Sequence, residues 1–410
     1  MKVLLVSRYC AYDNAGYAGS RIHNYYLKRL YKDFDLKLLT IADPADAPRL
    51  DFERYKIDAD VVFVDERPQR ALFFLFYNWR NIPNYFGKTL GLVNGYIHKV
   101  ILKKLKILCK SGYSPDCVLL EWTQVALMAS RIKKNFPDAA LIVYEHDVCF
   151  LGFKRKLANA SGIRKIAEYL RFCSVKNAET ASLHAADHIV TLNEKDADLI
   201  ARCGISSSNI TVISPFFTDY GDVIYNPESN GILFFGAMDR PENYESAVWF
   251  IENVFIPHLQ NKHVFYIVGN KPHHVLDKYK SERIAVTGFV PDIRQYLGKS
   301  FCMAAPLTMG AGIKVKVIEA MSAGLPVLAN DIAIEGIPAV NNVHYLHCRN
   351  PGDYAAAVGR IDKDRAGLRE ISANAKKLVA DVFNLDKSYS TYKQAIYKTC
   401  SARLVNRPRL

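Results

Sequence analysis

Short apolar runs, many of them β-branched, alternate with stretches of helical periodicity along almost the whole chain. Residues 3–6, 36–41, 61–64, 118–120, 141–144, 187–191 and 211–214 have strand length. After a stretch rich in Pro, Gly, Asn and Asp at 215–230, the runs 231–236, 264–268, 284–290, 302–306 and 326–329 repeat the pattern. Between them apolar side chains recur at helical spacing, as at Ile22, Tyr25, Tyr26 and Leu30, or Ile313, Val317 and Met321. Helices are also predicted over 154–176, 193–201, 237–250 with Pro241 near its start, 291–297, from 345 onward and over 388–400. Short runs that stay apolar suit strands buried on both faces, and the helices between them suit crossovers, so the pattern predicts an α/β chain with parallel sheets. The 215–230 stretch reads as a linker between two sheets.

The segment 301–331, FCMAAPLTMGAGIKVKVIEAMSAGLPVLAND, reads as strand, loop, helix, strand. Gly310 and Gly312 let the backbone come close to a bound group, the helix start presents N–H groups, and Lys314 and Lys316 add positive charge. Phosphate is the guest this favours. Glu319 stands about two turns along the helix, where a carboxylate accepts hydrogen bonds from sugar hydroxyls. The loop therefore suits a nucleotide sugar, the plainer alternative being a crossover whose glycines serve turns. Two further loops follow strands. The loop at 7–20 carries Gly16, Gly19 and Ser20, with Arg21 next, and the 141–144 run leads into Glu145, His146 and Asp147 on the side where open α/β sheets bind ligands. Neither glycine loop fits a dinucleotide fingerprint: the first turn is too long, and Val315 stands where the third glycine after Gly310 and Gly312 would be needed.

Residues 310–327, read as G-A-G-x-K-x-K-V-x-E-A-M-x-A-G-x-P-V, resemble the group 1 glycosyltransferases of the GT4 family, and the 237–250 stretch resembles a subgroup of it. The resemblance implies a GT-B fold, two Rossmann-like parallel-sheet domains facing a central cleft. Residues 1–215 would form the acceptor-side domain and 216–387 the nucleotide-sugar domain, with 388–410 packing back on the first. The implied reaction moves a sugar, with retention of configuration, from a nucleoside-diphosphate sugar to a glycan or lipid-linked acceptor in cell-surface polysaccharide or glycoconjugate synthesis. No cofactor and no metal are implied. Gly310, Gly312, Ile313, Lys314, Lys316 and Glu319 would bind the donor together with Gly16, Gly19, Gly236 and Arg240. His146 would face the donor sugar, with Glu145 and Asp147 setting its protonation state. Two departures matter: Ala237 and Asn243 stand where the family has an Arg and a Lys on the diphosphate, and Ala311 stands where it has a further Glu. Arg240, Lys314 or Lys316 is expected to take over the phosphate charge. The rival these departures raise is a non-catalytic module that kept the fold and binds nucleotide sugar.

Composition sets the surroundings. A chain of 410 residues exceeds one ordinary core, and a formal net charge of +13 draws phosphates and anionic headgroups. Lys and Arg are spread along the chain without a basic tail, so no nucleic-acid partner is expected. Nine cysteines without C-x-x-C spacing disfavour a zinc ribbon and point to reduced thiols in a cytoplasm. Asp-x-Asp strings at Asp58, Asp196 and Asp362 would suit a metal clamp, but side chains two apart diverge on the helix expected at Asp196. No run holds the ~18 uncharged apolar residues of a spanning helix, and 1–7 lacks a signal peptide's basic start. Over 67–109 aromatics interleave with Arg70, Arg80, Lys88, Lys99, Lys103, Lys104 and Lys106, which predicts peripheral attachment to an anionic membrane surface. A core helix pair with a solvated basic face is the alternative.

Overall fold

The apolar runs pair into two parallel sheets in a computed structural model that describes residues 1–405 apart from 14, 16, 66–94, 227, 260 and 366. Two units divide the chain: Met1–Ala15, Gly19–Ile213 and Asp386–Leu410 form one, and Gly16–Ala18 with Ser214–Leu385 the other.

The first unit holds β1 (Lys2–Ser7), β2 (Asp35–Ala42), β3 (Asp58–Phe63), β4 (Cys117–Glu121), β5 (Ala140–Glu145), β6 (His188–Thr191) and β7 (Ile210–Val212). Their order is β3-β2-β1-β4-β5-β6-β7, all parallel. Every residue of β4 and β5 is buried, as continuous apolar runs covered on both faces must be. Strand order reverses direction between β1 and β4, and ligands of doubly wound sheets bind beyond the carboxyl ends at such a point. Around the sheet lie α1 (Ala18–Asp33), α2 (Gly95–Lys110), α3 (Thr123–Ala126), α4 (Ala129–Asn135), α5 (Cys149–Ala158), α6 (Gly162–Ala185) and α7 (Glu194–Ala201).

The second unit orders its strands β10-β9-β8-β11-β12-β13, again parallel, from β8 (Gly231–Phe235), β9 (Val264–Val268), β10 (Ile284–Gly288), β11 (Ser300–Ala305), β12 (Val327–Ala329) and β13 (Leu346–His347). Its switch point lies between β8 and β11. Helices α8 (Pro241–Phe250), α9 (Arg294–Gly298), α10 (Val315–Ser322), α11 (Pro351–Lys363) and α12 (Gly367–Val382) belong to it. The last helix, α13 (Leu385–Val405), is part of the first unit: the Tyr26 and Ser388 hydroxyls bond at 2.6 Å, Tyr389 donates to the Arg29 carbonyl, and Tyr392 packs edge-on to Tyr26.

Several boundaries differ from the expected ones for local reasons. Helix α1 begins at Ala18, so Gly19 is a first-turn helix residue and not a loop glycine; Gly16 lies outside the described residues. The basic stretch at 154–176 is not one helix but parts of α5 and α6, joined through 159–161. Past 345 the chain first adds β13, and the helix waits for Asn350, whose side chain accepts from Asp353 N (3.0 Å) ahead of Pro351 at the first turn. Helix α8 runs on into a wider π-helical stretch, Ile251–Leu259, which contains Pro257. Of the aromatic and basic stretch, 66–94 lies outside the described residues. The described part, α2, buries Ile97, Ile101 and Leu105 and exposes Lys99, Lys103 and Lys106. No helix among the described residues is long and apolar enough to cross a membrane.

Candidate functional site

Each unit gathers its polar chemistry beyond the carboxyl ends of strands at or next to its switch point. In the first unit β4 and β5 pair with Glu121 opposite Tyr144, so the residues after them emerge side by side. His146 lies face to face with Trp122 (ring centroids 4.4 Å, planes 10° apart) and with Tyr144 (4.8 Å, 24°). Trp122 holds a left-handed backbone (φ 75°), a conformation that costs a non-glycine residue about 1–3 kcal/mol and concentrates where function requires it. Beneath, Tyr144 meets Tyr26 and Tyr392, so α1 and α13 together support the imidazole's platform.

The carboxylate that holds His146 is Glu121. His146 Nε2 lies 2.7 Å from Glu121 Oε1, and the other carboxylate oxygen meets His23 Nδ1 from α1. Burial opposes ionisation of Glu121, but the two imidazoles outweigh it and hold the carboxyl down at about 2. An ionised carboxylate only accepts, so Nε2 of His146 carries the proton and Nδ1 of the neutral ring is an acceptor. That Nδ1 is buried and has no hydrogen-bond partner among the described residues. A methyl group on Gly19 would sit 3.8 Å from it and 3.7 Å from Trp122 Nε1, so the bare backbone of α1 leaves both atoms approachable.

Glu145 does not hold the imidazole, as its adjacency in sequence had suggested. Glu145 turns to Thr123, whose hydroxyl donates to it at 2.5 Å, and burial and the neighbouring Glu179 push its carboxyl upward. Glu179, itself raised to about 8 by burial, accepts from the backbone N–H of Cys149 and Phe150 and so caps the start of α5. Asp147 lies 4.0 Å from Cys149 Sγ, in the same acidic neighbourhood.

In the second unit the loop after β11 turns through Gly310 (φ 121°) and Gly312 (φ 69°) into α10, which begins at Val315 behind Lys314 without a side-chain cap. Ile313 lies before the helix and not in it. Uncapped first-turn N–H groups behind a left-handed glycine make an anion site. The Lys314 ammonium is folded onto the loop, donating to the carbonyls of Ala311 (3.2 Å) and Gly312. Lys316 reaches the end of β8: it donates to Asn243 Oδ1 (2.5 Å) and lies over the Phe234 ring, while Asn243 Nδ2 holds the Ala237 carbonyl (2.8 Å). A Cβ at Gly236 would come within 3.0 Å of Asn243 Nδ2, so glycine there keeps this joint closed. Asn243 thus occupies the expected lysine position and anchors a lysine from another helix. Arg240, at the start of α8, pairs with Glu242. Glu319 is buried, and its Oε1 accepts from Thr218 N at 3.1 Å.

Burial first, and Lys314 second, lower the Lys316 ammonium to about 7. A diphosphate beside it restores the charge, so the group's pKa is raised in the complex and binding takes up a proton above pH 7. Affinity for a nucleotide sugar, whose esterified diphosphate does not titrate there, should therefore fall by up to about tenfold per pH unit above 7. Calorimetric titrations at pH 6.5, 7.5 and 8.5 check this, and the slope should vanish in Lys316→Met.

With that geometry in view, comparison with solved structures identifies the fold as GT-B. The sucrose-phosphate synthase of Thermosynechococcus elongatus aligns over 98% of this chain and 100% of its own at 15% identity, with a TM-score of 0.68. HepE of Anabaena, solved in complex with UDP, aligns over 97% and 100% at 13% identity and 0.65. Residues 229–364 match the family model described as glycosyl transferases group 1. A curated relative, an uncharacterized 44.6 kDa protein in the cps region of Klebsiella pneumoniae, is 19% identical over 358 residues, 82% of this chain and 90% of that protein.

Proposed function

We propose that the chain is a GT4-type, metal-independent glycosyltransferase that moves a hexose-like sugar, with retention, from a UDP-sugar to a glycan or lipid-linked acceptor in cell-surface polysaccharide assembly. The observation that carries the reading is the cradle from Gly310 to Lys316, where an uncapped helix start and a lysine poised near neutrality meet at one switch point. Charge building on a leaving diphosphate needs such preorganised donors. In the first unit the unpartnered Nδ1 of His146 offers the sugar an acceptor when neutral and a donor when protonated. HepE has been solved with UDP-glucose, and the Staphylococcus aureus TarM mutant with UDP and α-GlcNAc-glycerol; both support a UDP-sugar donor. The cps-region relative supports a capsular or similar polysaccharide. The deciding assay incubates purified protein with a panel of nucleotide sugars and acceptor extracts, with and without chelator, and reads the product's anomeric configuration by NMR. A chelator-sensitive or inverting reaction contradicts the corresponding part of the proposal.

One observation favours the rival, a binding module without turnover: the Lys314 ammonium is engaged by its own loop. Nucleotide-sugar binding without hydrolysis or transfer across the whole panel would establish it.

Glu319 is proposed to take the ribose hydroxyls, sharing its carboxylate with Thr218 N. Loss of a buried charged hydrogen-bond partner costs about 1.5–3 kcal/mol, so Glu319→Ala should weaken UDP at least about tenfold. Unchanged affinity in a folded variant removes Glu319 from the donor site.

A further inference from the structure

The longest helix of the first unit is packed by one face and apolar on the other. Helix α6 buries Glu168, Val175, Glu179, Ser182 and Leu183. At about 100° per residue, Ile163, Ile166 and Leu170 fall on the opposite side, with Tyr169 at the edge of that arc. These side chains are exposed to 87%, 64%, 57% and 54% respectively. A surface helix ordinarily turns its polar residues outward, so three large aliphatics in one outward arc call for a partner. Arg164 and Lys165 lie on the same end of the helix, each about 100° around from an edge of the arc, and both are exposed. Helix α5, packed against α6, adds the exposed Lys154 and Lys156. Over 149–177 the chain carries seven Lys and Arg residues and one acid, Glu168, which is buried and paired with Arg171 at 3.0 Å.

We infer that this face of α6, with the cations of α5, docks on an anionic lipid bilayer. Aliphatic side chains enter the acyl boundary, tyrosine sits at headgroup depth, and the nearby cations meet acidic headgroups. Charge and area decide against a second copy of the chain. A two-fold partner would set the same cations against each other, and four side chains fall far short of the roughly 800 Å² per partner that a stable protein interface buries. These residues are other than those at 67–109, where the sequence pattern had placed membrane contact. The inference stands whether or not the proposed reaction is correct, because its test reads vesicle binding and not turnover.

The full chain is mixed with vesicles of phosphatidylcholine alone or with phosphatidylglycerol added, at low and high salt, and co-sedimentation is measured. Wild type should partition to the anionic vesicles and be released as salt rises. Ile163→Ser/Ile166→Ser/Leu170→Ser should lower partitioning about tenfold or more with an unchanged melting temperature, and Lys99→Ser/Lys103→Ser/Lys106→Ser on α2 should keep most of it. The inference is overturned by equal partitioning to neutral vesicles, by no partitioning to either, or by wild-type binding in the α6 variant. A drop in its melting temperature overturns it too, since the face would then be covered by the chain itself. So does a dimer in sedimentation that the α6 variant abolishes.

Discussion

His146→Ala is expected to lower turnover about a hundredfold or more, the usual scale for a positioned acid–base or polar group, and to leave the dissociation constant of UDP nearly unchanged. The expectation follows from how the ring is held. Two aromatic rings fix its plane and Glu121 fixes one nitrogen, leaving Nδ1 buried and unbonded. An imidazole so constrained has lost its freedom before any substrate arrives, which lowers the entropic cost of aligning it with a reacting group. Nucleotide affinity is proposed to rest on a different set of residues, Gly310 to Glu319, which belong to the second unit. Turnover measured at saturating donor, calorimetry with UDP and a thermal melt together decide the matter. Near-normal turnover would make His146 a structural residue, and a matching loss of UDP affinity would mean that the division of labour between the two sets is wrong.

Much of the sheet was legible because buried parallel strands are short, uninterrupted apolar runs; β4, β5, β8 and β11 leave little else for those residues to be. The order of strands was not written locally, since β1 lies between β2 and β4 through backbone pairing that no single run encodes. The phosphate-loop glycines and lysines were legible for the opposite reason, being crowded into a few consecutive residues. What the sequence hid are the long-range partnerships. Glu121 closes the apolar run of β4 and looks like any polar residue at a strand end, yet it binds residues 98 and 25 positions away. Its position at the carboxyl end of a switch-point strand was the one signal that could have raised it. Lys316 meets Asn243 across 73 positions, and Glu319 meets Thr218 N across 101. Glu145 misled because neighbours in sequence point apart at a strand end, so adjacency to His146 placed its carboxylate against Thr123 instead.

Replacing Glu121 should cost the first unit stability as well as activity, with a pH signature that an ordinary core residue lacks. Its folded-state value of about 2 lies below the ordinary value of 4.5 for a glutamate carboxyl. At 1.36 kcal/mol per unit the difference corresponds to about 3 kcal/mol, and full burial spares it the screening that weakens surface pairs. The sign follows from linkage: a depressed carboxylate contributes stability that is fully present above its unfolded value and is lost as pH falls through its folded value. Wild type should therefore exceed Glu121→Gln by about 3 kcal/mol at pH 7, and the gap should narrow below about pH 4.5. Glu121→Ala should lose more, about 3–5 kcal/mol, because two buried imidazoles are then left without their shared acceptor. Urea unfolding of the three proteins at pH 7, 5 and 4 measures these gaps. In catalysis Glu121→Gln keeps the volume but removes the charged acceptor that holds the His146 ring, so turnover should be reduced. A gap that is absent, or that does not change with pH, would show that Glu121 is only a space-filling neighbour. His146 would then be positioned by the stacked rings of Trp122 and Tyr144 alone.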